Sequence, residues 1–304
     1  MIKIASKDDK QAIYEMWKSN FSFDDGGFTD FFFDCLYDDD DLKHYINKLD
    51  ETIISSASVY HHAYMIHNQI LRVSMILGVN TLETYRHQGH MQELMKAIID
   101  DLSHQELITM IQAYNPKIYE QFGFKTIYHQ NRYVFDKKDF DGFIFGKIKD
   151  ITDTEDLLKA YGSFVSHFQG YHVRFLKDFS LLLKKIEYEG SKIIGYYEND
   201  IKGYCIYHIY DNHIYVEEMI YEDLKTFISL LDYLFTIRDI VEVYLSKSEE
   251  IDKYIKVKTK EIKPYTMARI NEIDLFNRLY HSDIKDVTEV FKLSDKALYM
   301  REEY

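Results

Sequence analysis

One turn carries the densest chemistry in the chain: Thr84-Tyr85-Arg86-His87-Gln88-Gly89-His90-Met91. It separates a run of alternating apolar residues from one with helical spacing, so it stands at a strand-to-helix junction. The first amides of a helix have no intrahelical partners, and the helix dipole adds partial positive charge there. Such a turn is an anion cradle suited to a pyrophosphate. Gly89 lets the backbone approach a ligand closely, and Arg86 adds a guanidinium. A lone glycine at this place also serves as a plain turn residue, so the cradle needs a second signal.

Other reactive groups are less ordered. His61, His62 and His67 lack the Cys or Glu partners of a zinc spacing, so no metal is expected. Asp24, Asp25 and the run Asp38 to Asp41 read either as solvated surface or as the lining of a cationic amine pocket. Phe31-Phe32-Phe33 reads as core in preference to a substrate wall. His167, His172 and Arg174 fall in the second half of the chain, and nothing in the sequence ranks them.

The elements that must position these groups follow from periodicity. Ser6-Lys7-Asp8-Asp9 resembles a capping box, and Ile13, Met16, Trp17 and Phe21 behind it fall at helical spacing. A second helix is expected over 41–49, then a strand over 52–60 with a hairpin partner over 62–70. Leu71, Val73, Met75, Leu77 and Val79 alternate as a strand. After the turn, Met91, Leu94, Met95, Ile98, Ile99 and Leu102 make one apolar helix face. A short strand over 107–113, a helical turn over 117–122 and a strand over 126–136 follow. From Asp150 the pattern restarts: a capped helix, strands over 192–197, 201–210 and 213–221, a helix from Leu224 to Phe235, and a strand over 240–245. The same strand–strand–helix–strand order occurs twice, which implies two copies of one α/β (α+β) fold. The second copy has no glycine-bearing turn before its long helix.

Composition narrows the class. The 304 residues carry 37 Lys+Arg against 51 Asp+Glu, a net charge of −14. That argues against general nucleic-acid binding and mildly favours cationic substrates. Hydrophobic residues make up 46%, enough for real cores, and only two prolines occur, so long Pro-rich linkers are excluded. Cys35 and Cys205 form no CxxC pair, which points to a reducing cytoplasm. No apolar run suggests a signal peptide or a membrane span, and neither a nucleic-acid nor a membrane partner is expected.

Two segments together resemble a known family. Arg86-His87-Gln88-Gly89-His90-Met91, preceded by the strand ending near Val79, is similar to the acetyl-CoA-binding signature of GNAT-fold N-acetyltransferases. There the first position is Gln or Arg, with Gly three residues later. Ile118-Tyr119-Glu120-Gln121-Phe122-Gly123-Phe124 resembles the second landmark of that family, a Tyr four residues before a Gly-Phe pair. Gly203-Tyr204-Cys205-Ile206-Tyr207, Val216-Glu217-Glu218 and the helix of 224–235 resemble the second domain of the enhanced intracellular survival (Eis-like) branch. That branch joins a functional GNAT domain to a degenerate one. Met91 stands where the family has a last Gly or Ala.

The resemblance implies a chemistry: an amine attacks the thioester of acetyl-CoA, an oxyanion develops, and CoA leaves as a thiolate that needs a proton. Tyr119 is then the general acid, backbone N–H near Val79 polarises the carbonyl, and the amides of His87 to Met91 hold the pyrophosphate. Tyr114 matches a residue that lines the pantetheine arm. In the Eis-like branch the terminal carboxylate, after an aromatic last residue, enters the active site; here that residue is Tyr304. The expected domains are a catalytic GNAT domain over 1–140, a degenerate second one over 141–263, and over 264–304 a shortened remnant of a sterol-carrier-like domain. Tyr265 to Ile270 resembles the opening strand of that remnant. The acceptor is a polyamine, an aminoglycoside or lysine, and homo-oligomerisation stays open. The rival expectation is an acetyl-CoA-binding sensor or scaffold without turnover.

Overall fold

The computed structural model describes residues 1–21, 26–142 and 146–301. The first half runs β1 (Ile2–Ile4), α1 (Lys10–Asn20), α2 (Phe28–Phe31), β2 (Leu42–Leu49), β3 (Thr52–Ile66), β4 (Gln69–Thr81), α3 (His90–Ser103), β5 (Ile108–Gln112), α4 (Lys117–Glu120) and β6 (Lys125–Asp136). The second half begins with β7 (Lys147–Asp150), α5 (Thr154–Val165), β8 (Phe168–Gln169), β9 (Tyr171–His172), α6 (Leu176–Glu189), β10 (Lys192–Tyr197), β11 (Ile201–Ile209) and β12 (Ile214–Tyr221). It closes with α7 (Leu224–Phe235), β13 (Ile240–Ser246), β14 (Thr259–Ile270), α8 (Ile273–Tyr280), α9 (Val287–Val290) and β15 (Ala297–Leu298). No helix among the described residues is long and apolar enough to cross a membrane.

One sheet runs through both halves in the order β1-β2-β3-β4-β5-β14-β6-β13-β12-β11-β10-β7, with β9 against β3. The halves interlock. β14 follows β13 in sequence yet lies antiparallel between β5 and β6, pairing Met267 with both Ile111 and Thr126. β6 in turn runs antiparallel to β13, with Tyr133 opposite Val243. Each half therefore supplies a strand to the sheet of the other. The expected start of a third region at 264 falls inside β14, so the run Tyr265–Ile270 belongs to the central sheet. Met267 and Ala268 point into cores on opposite faces, which is the burial of a central strand.

Helices cover both faces of each half. α3 sets Leu94, Met95, Ile98 and Leu102 against one face of the first half, all fully buried. At about 1.5–3 kcal/mol per buried side chain, that face alone anchors the helix. α1, α8 and α9 pack on the other face, where Trp17 stacks on Phe32 at 4.6 Å. In the second half α7 covers one face, and α5 and α6 the other.

Three sequence expectations are corrected. Residues 41–49 form strand β2, not a helix: Leu42 and Ile46 enter one core and Tyr45 the opposite one, so burial on two faces mimics helical spacing. The strand expected to end at Tyr60 continues to Ile66, and the hairpin turns at His67 and Asn68, with φ of 51° and 59°. Two positive φ values fit a primed turn, normally signalled by Asn-Gly, so a His-Asn turn left no such signal. Helix α6 was not expected at all.

Candidate active site

The site opens where the sheet comes apart. β4 and β5 run parallel, but their pairing covers only Ser74–Thr109, Met75–Met110 and Ile76–Ile111. A bulge in β4 lies just beyond, where the register against β3 shifts between Ser56 and Ser58. Gly78 sits in that bulge at φ 60°, and the Trp17 ring fills the space that a side chain there would need. Bulges of this kind end pairing and re-aim a strand next to a site. Leu77, Gly78 and Val79 then face Gln112, Tyr114 and Tyr119 across a cavity of about 780 Å³.

Tyr119 lies on α4, its ring edge-on to Phe124 at 6.4 Å. Burial raises its phenol above the ordinary value, so the proton stays on oxygen at neutral pH. Tyr114 is fully exposed at the rim. The sequence-derived candidates Val79, Tyr114 and Tyr119 thus share one cavity. The other group, Arg86 to Met91, does not line it and forms the start of α3 beyond the end of β4.

That start is built as an open helix end. His87 and Gly89 take φ of 63° and 91°, Gly89 is the N-cap, and no side chain caps the helix. A Cβ on Gly89 would meet nothing within 4 Å. Arg86 donates from Nε to the Thr81 carbonyl at 3.2 Å and from its fork to Asn20. Gln88 Nε2 donates to the Thr84 carbonyl at 3.0 Å, which closes the turn. His90 Nδ1 lies 3.6 Å from the Glu93 carboxylate, and Met91 packs on the α3 core. With its amides uncapped, this end can receive an anion.

Residue patterns alone did not foresee the second wall of the cavity. It comes from the other half: Lys185 and Glu189 of α6, His208 of β11, Tyr210, His213, and Tyr215 and Glu217 of β12. Lys185 Nζ lies 2.6 Å from the Glu217 carboxylate, whose other oxygen is 3.0 Å from His208 Nε2. Burial raises the Glu217 carboxyl, but Lys185 and His208 pull it far below the usual range. The ligand-capable atoms of Glu189, His208 and Glu217 lie within 4.8 Å of one another, and the cation among them is the Lys185 ammonium. The missed signal was Glu217-Glu218, two acids inside an otherwise apolar strand.

A second cavity, about 100 Å³, shares Phe28, Lys185 and Glu217 with the first and reaches His62, His172, Arg174 and Arg301. Of the three unranked candidates, His172 and Arg174 line this space, and His167 lines neither. Arg174 is paired with Glu218 at 3.0 Å, both nearly buried. Arg301 is buried and donates to the Glu217 carbonyl. Tyr304, Asp24 and Asp25 lie outside the described residues. Asp38 and Asp41 form surface pairs with Lys10 and Arg72, and His61 is locked onto Glu106 in the core.

An acetyltransferase (GNAT) domain model matches residues 1–127, and a second acetyltransferase (GNAT) domain model matches residues 172–270. The chain belongs to the GNAT acetyltransferases. Its two GNAT domains lie in tandem. Among curated proteins, none matches the sequence. Solved structures share the fold at low identity. A probable N-acyltransferase from Enterococcus faecalis V583 is 18% identical with a TM-score of 0.77, over 91% of this chain and 74% of that one. Eis1 from Mycobacterium abscessus is 14% identical with a TM-score of 0.68, over 90% and 75%. A tandem GNAT protein from the clavulanic acid biosynthesis pathway is 9% identical with a TM-score of 0.56, over 90% and 98%.

The two GNAT domains differ where a GNAT protein would meet phosphate. In the first, α3 begins at uncapped Gly89. In the second, α7 begins at Asp223, whose carboxylate accepts from the Thr226 N–H at 2.8 Å. That helix end is already satisfied and negatively charged, so it repels the anion that the first can hold.

Proposed function

We propose that this GNAT protein transfers the acetyl group of acetyl-CoA to a primary amine by direct attack. The observation that carries the reading is the shared cavity of Val79 and Tyr119 at the parting of β4 and β5. The amine nitrogen attacks the thioester carbonyl while a backbone N–H near Val79 steadies the oxyanion. The C–S bond breaks, and the Tyr119 phenol protonates the thiolate. The pyrophosphate sits on the α3 amides of His87 to Met91, and the pantetheine arm passes Tyr114.

The acceptor is a small cationic amine, such as a polyamine or an aminoglycoside, or a lysine side chain. Support comes from the second wall, where Glu189 and Glu217 stand among the aromatic rings of Tyr210 and Tyr215. Carboxylates and ring faces both attract ammonium. Buried Arg301 lines the smaller cavity that adjoins this wall. Free Cys35 and Cys205 favour a reducing cytoplasm.

Calorimetry with CoA, joined to a thiol-release assay over an amine panel, tests the reading. Binding with turnover upholds it, whereas binding without turnover of any amine favours a sensor or scaffold. Absence of both removes the acetyl-CoA reading.

A further inference from the structure

The second wall ends in an ordered chain of charge. Lys185 Nζ lies 2.6 Å from one Glu217 oxygen and 3.9 Å from Glu189. The other Glu217 oxygen lies 3.0 Å from His208 Nε2. Glu217 reaches both partners from a bulge, since the β11–β12 register shifts between Ile206 and Tyr207. An ionised carboxylate only accepts hydrogen bonds, so it fixes the proton of a neutral His208 on Nε2. The free lone pair is then on Nδ1, which has no hydrogen-bond partner among the described residues. His208 lines the same cavity as Val79 and Tyr119.

We propose that His208, held by Glu217, is the base of the second GNAT domain that takes the proton of the acceptor amine during transfer. The inference rests on the transferase reading above. As the N–C bond forms and the C–S bond breaks, the amine proton passes to His208 Nδ1, and the thiolate receives its proton from Tyr119. The His208 ring then returns its proton to solvent, and the Tyr119 phenolate takes one back from it. Each GNAT domain thus supplies one proton-transfer group to one cavity, which gives the degenerate domain a chemical role.

The groups facing the ring set the pH dependence. Burial lowers the His208 pKa, while the Glu217 hydrogen bond and the charges of Glu217 and Glu189 raise it, and Lys185 opposes them; the net shift is upward. Tyr215 at 5.7 Å and Tyr210 at 6.5 Å flank the ring, and His213 lines the same wall. A base acts when neutral, so kcat/KM rises as pH passes upward through the His208 pKa.

The test measures acetyl transfer from acetyl-CoA to a polyamine, an aminoglycoside and free lysine across pH. His208→Gln is expected to lower kcat/KM about 100-fold, abolish the acidic limb and leave CoA affinity unchanged. His208→Ala is expected to recover activity with added imidazole, which separates lost chemistry from lost folding. Glu217→Gln is expected to move the limb to lower pH. An unchanged limb and rate in His208→Gln, or a limb lost only on removing residues 302–304, overturns the inference and leaves the transferase reading intact. CoA binding with no turnover by the native protein overturns the transferase reading, and this inference with it.

Discussion

A Cβ built on Gly78 would lie 1.9 Å from Trp17 Cζ2, so the indole occupies the volume that any side chain at 78 requires. Gly78 also takes φ 60°, a left-handed conformation that costs an L-residue roughly 1–2 kcal/mol. Trp17 is itself pinned by Phe32 and Phe33 and cannot move aside cheaply. Gly78→Ala is therefore expected to destabilise the protein by about 2–5 kcal/mol, overpacking adding to strain. It is also expected to weaken CoA binding through the displaced bulge. Thermal unfolding with calorimetry checks both, and a stable variant with native CoA affinity contradicts this account of the bulge.

The Tyr119 hydroxyl makes no hydrogen bond to another described residue, and burial keeps it protonated. Removing its hydroxyl leaves the ring packing on Phe124 in place. Tyr119→Phe is expected to cut kcat about 100-fold while CoA affinity stays nearly constant, because the phenol acts only when the thiolate forms. Equal losses in kcat and in CoA affinity would instead mark Tyr119 as a binding group.

Asp9 fastens the start of α1 to β2. Its carboxylate accepts from the Ser6 N–H at 2.8 Å and meets Lys48 Nζ at 2.7 Å. Burial raises its pKa, but Lys48 and Ser6 outweigh that and hold it far below the ordinary value. A lowered folded pKa gives stability that is complete above the unfolded value of about 3.9 and fades as pH falls toward the folded one. Asp9→Asn is expected to cost about 1.5–3 kcal/mol at pH 7. The gap to native protein should narrow between about pH 4 and pH 2. Urea denaturation at both ends measures it, and a gap independent of pH would show that the charge is irrelevant.

What the sequence made legible was local. α3 and α7 read directly from apolar residues at helical spacing, and α3 buries one face and leaves the other wet. The Gly89 turn was visible as a helix end, whereas Tyr119 stood out through the family resemblance alone. β2 was misread because both its faces are covered, which erases alternation. The place of β14 could not be read, since nothing local says that a strand beginning at Thr259 returns between β5 and β6. The wall of Lys185, His208 and Glu217 joins α6, β11 and β12, so it became visible only in three dimensions.

The open start of α3 allows a charge test that strain does not confound. Gly89 takes φ 91°, and a Cβ there would meet nothing within 4 Å. Asn and Asp tolerate left-handed backbone better than other L-residues and are nearly equal in volume, so Gly89→Asn and Gly89→Asp bear the same strain. Only the aspartate places a negative charge beside the uncapped amides where the pyrophosphate is proposed to sit. Gly89→Asp is expected to bind CoA about 10-fold more weakly than Gly89→Asn, corresponding to about 1.4 kcal/mol. Because the neighbouring Arg86, His87 and Gln88 are exposed, the difference should shrink as salt shortens the screening length to about 3 Å at 1 M. Titration calorimetry at low and high salt reads it, and equal affinities of the two variants at low salt would place the pyrophosphate elsewhere.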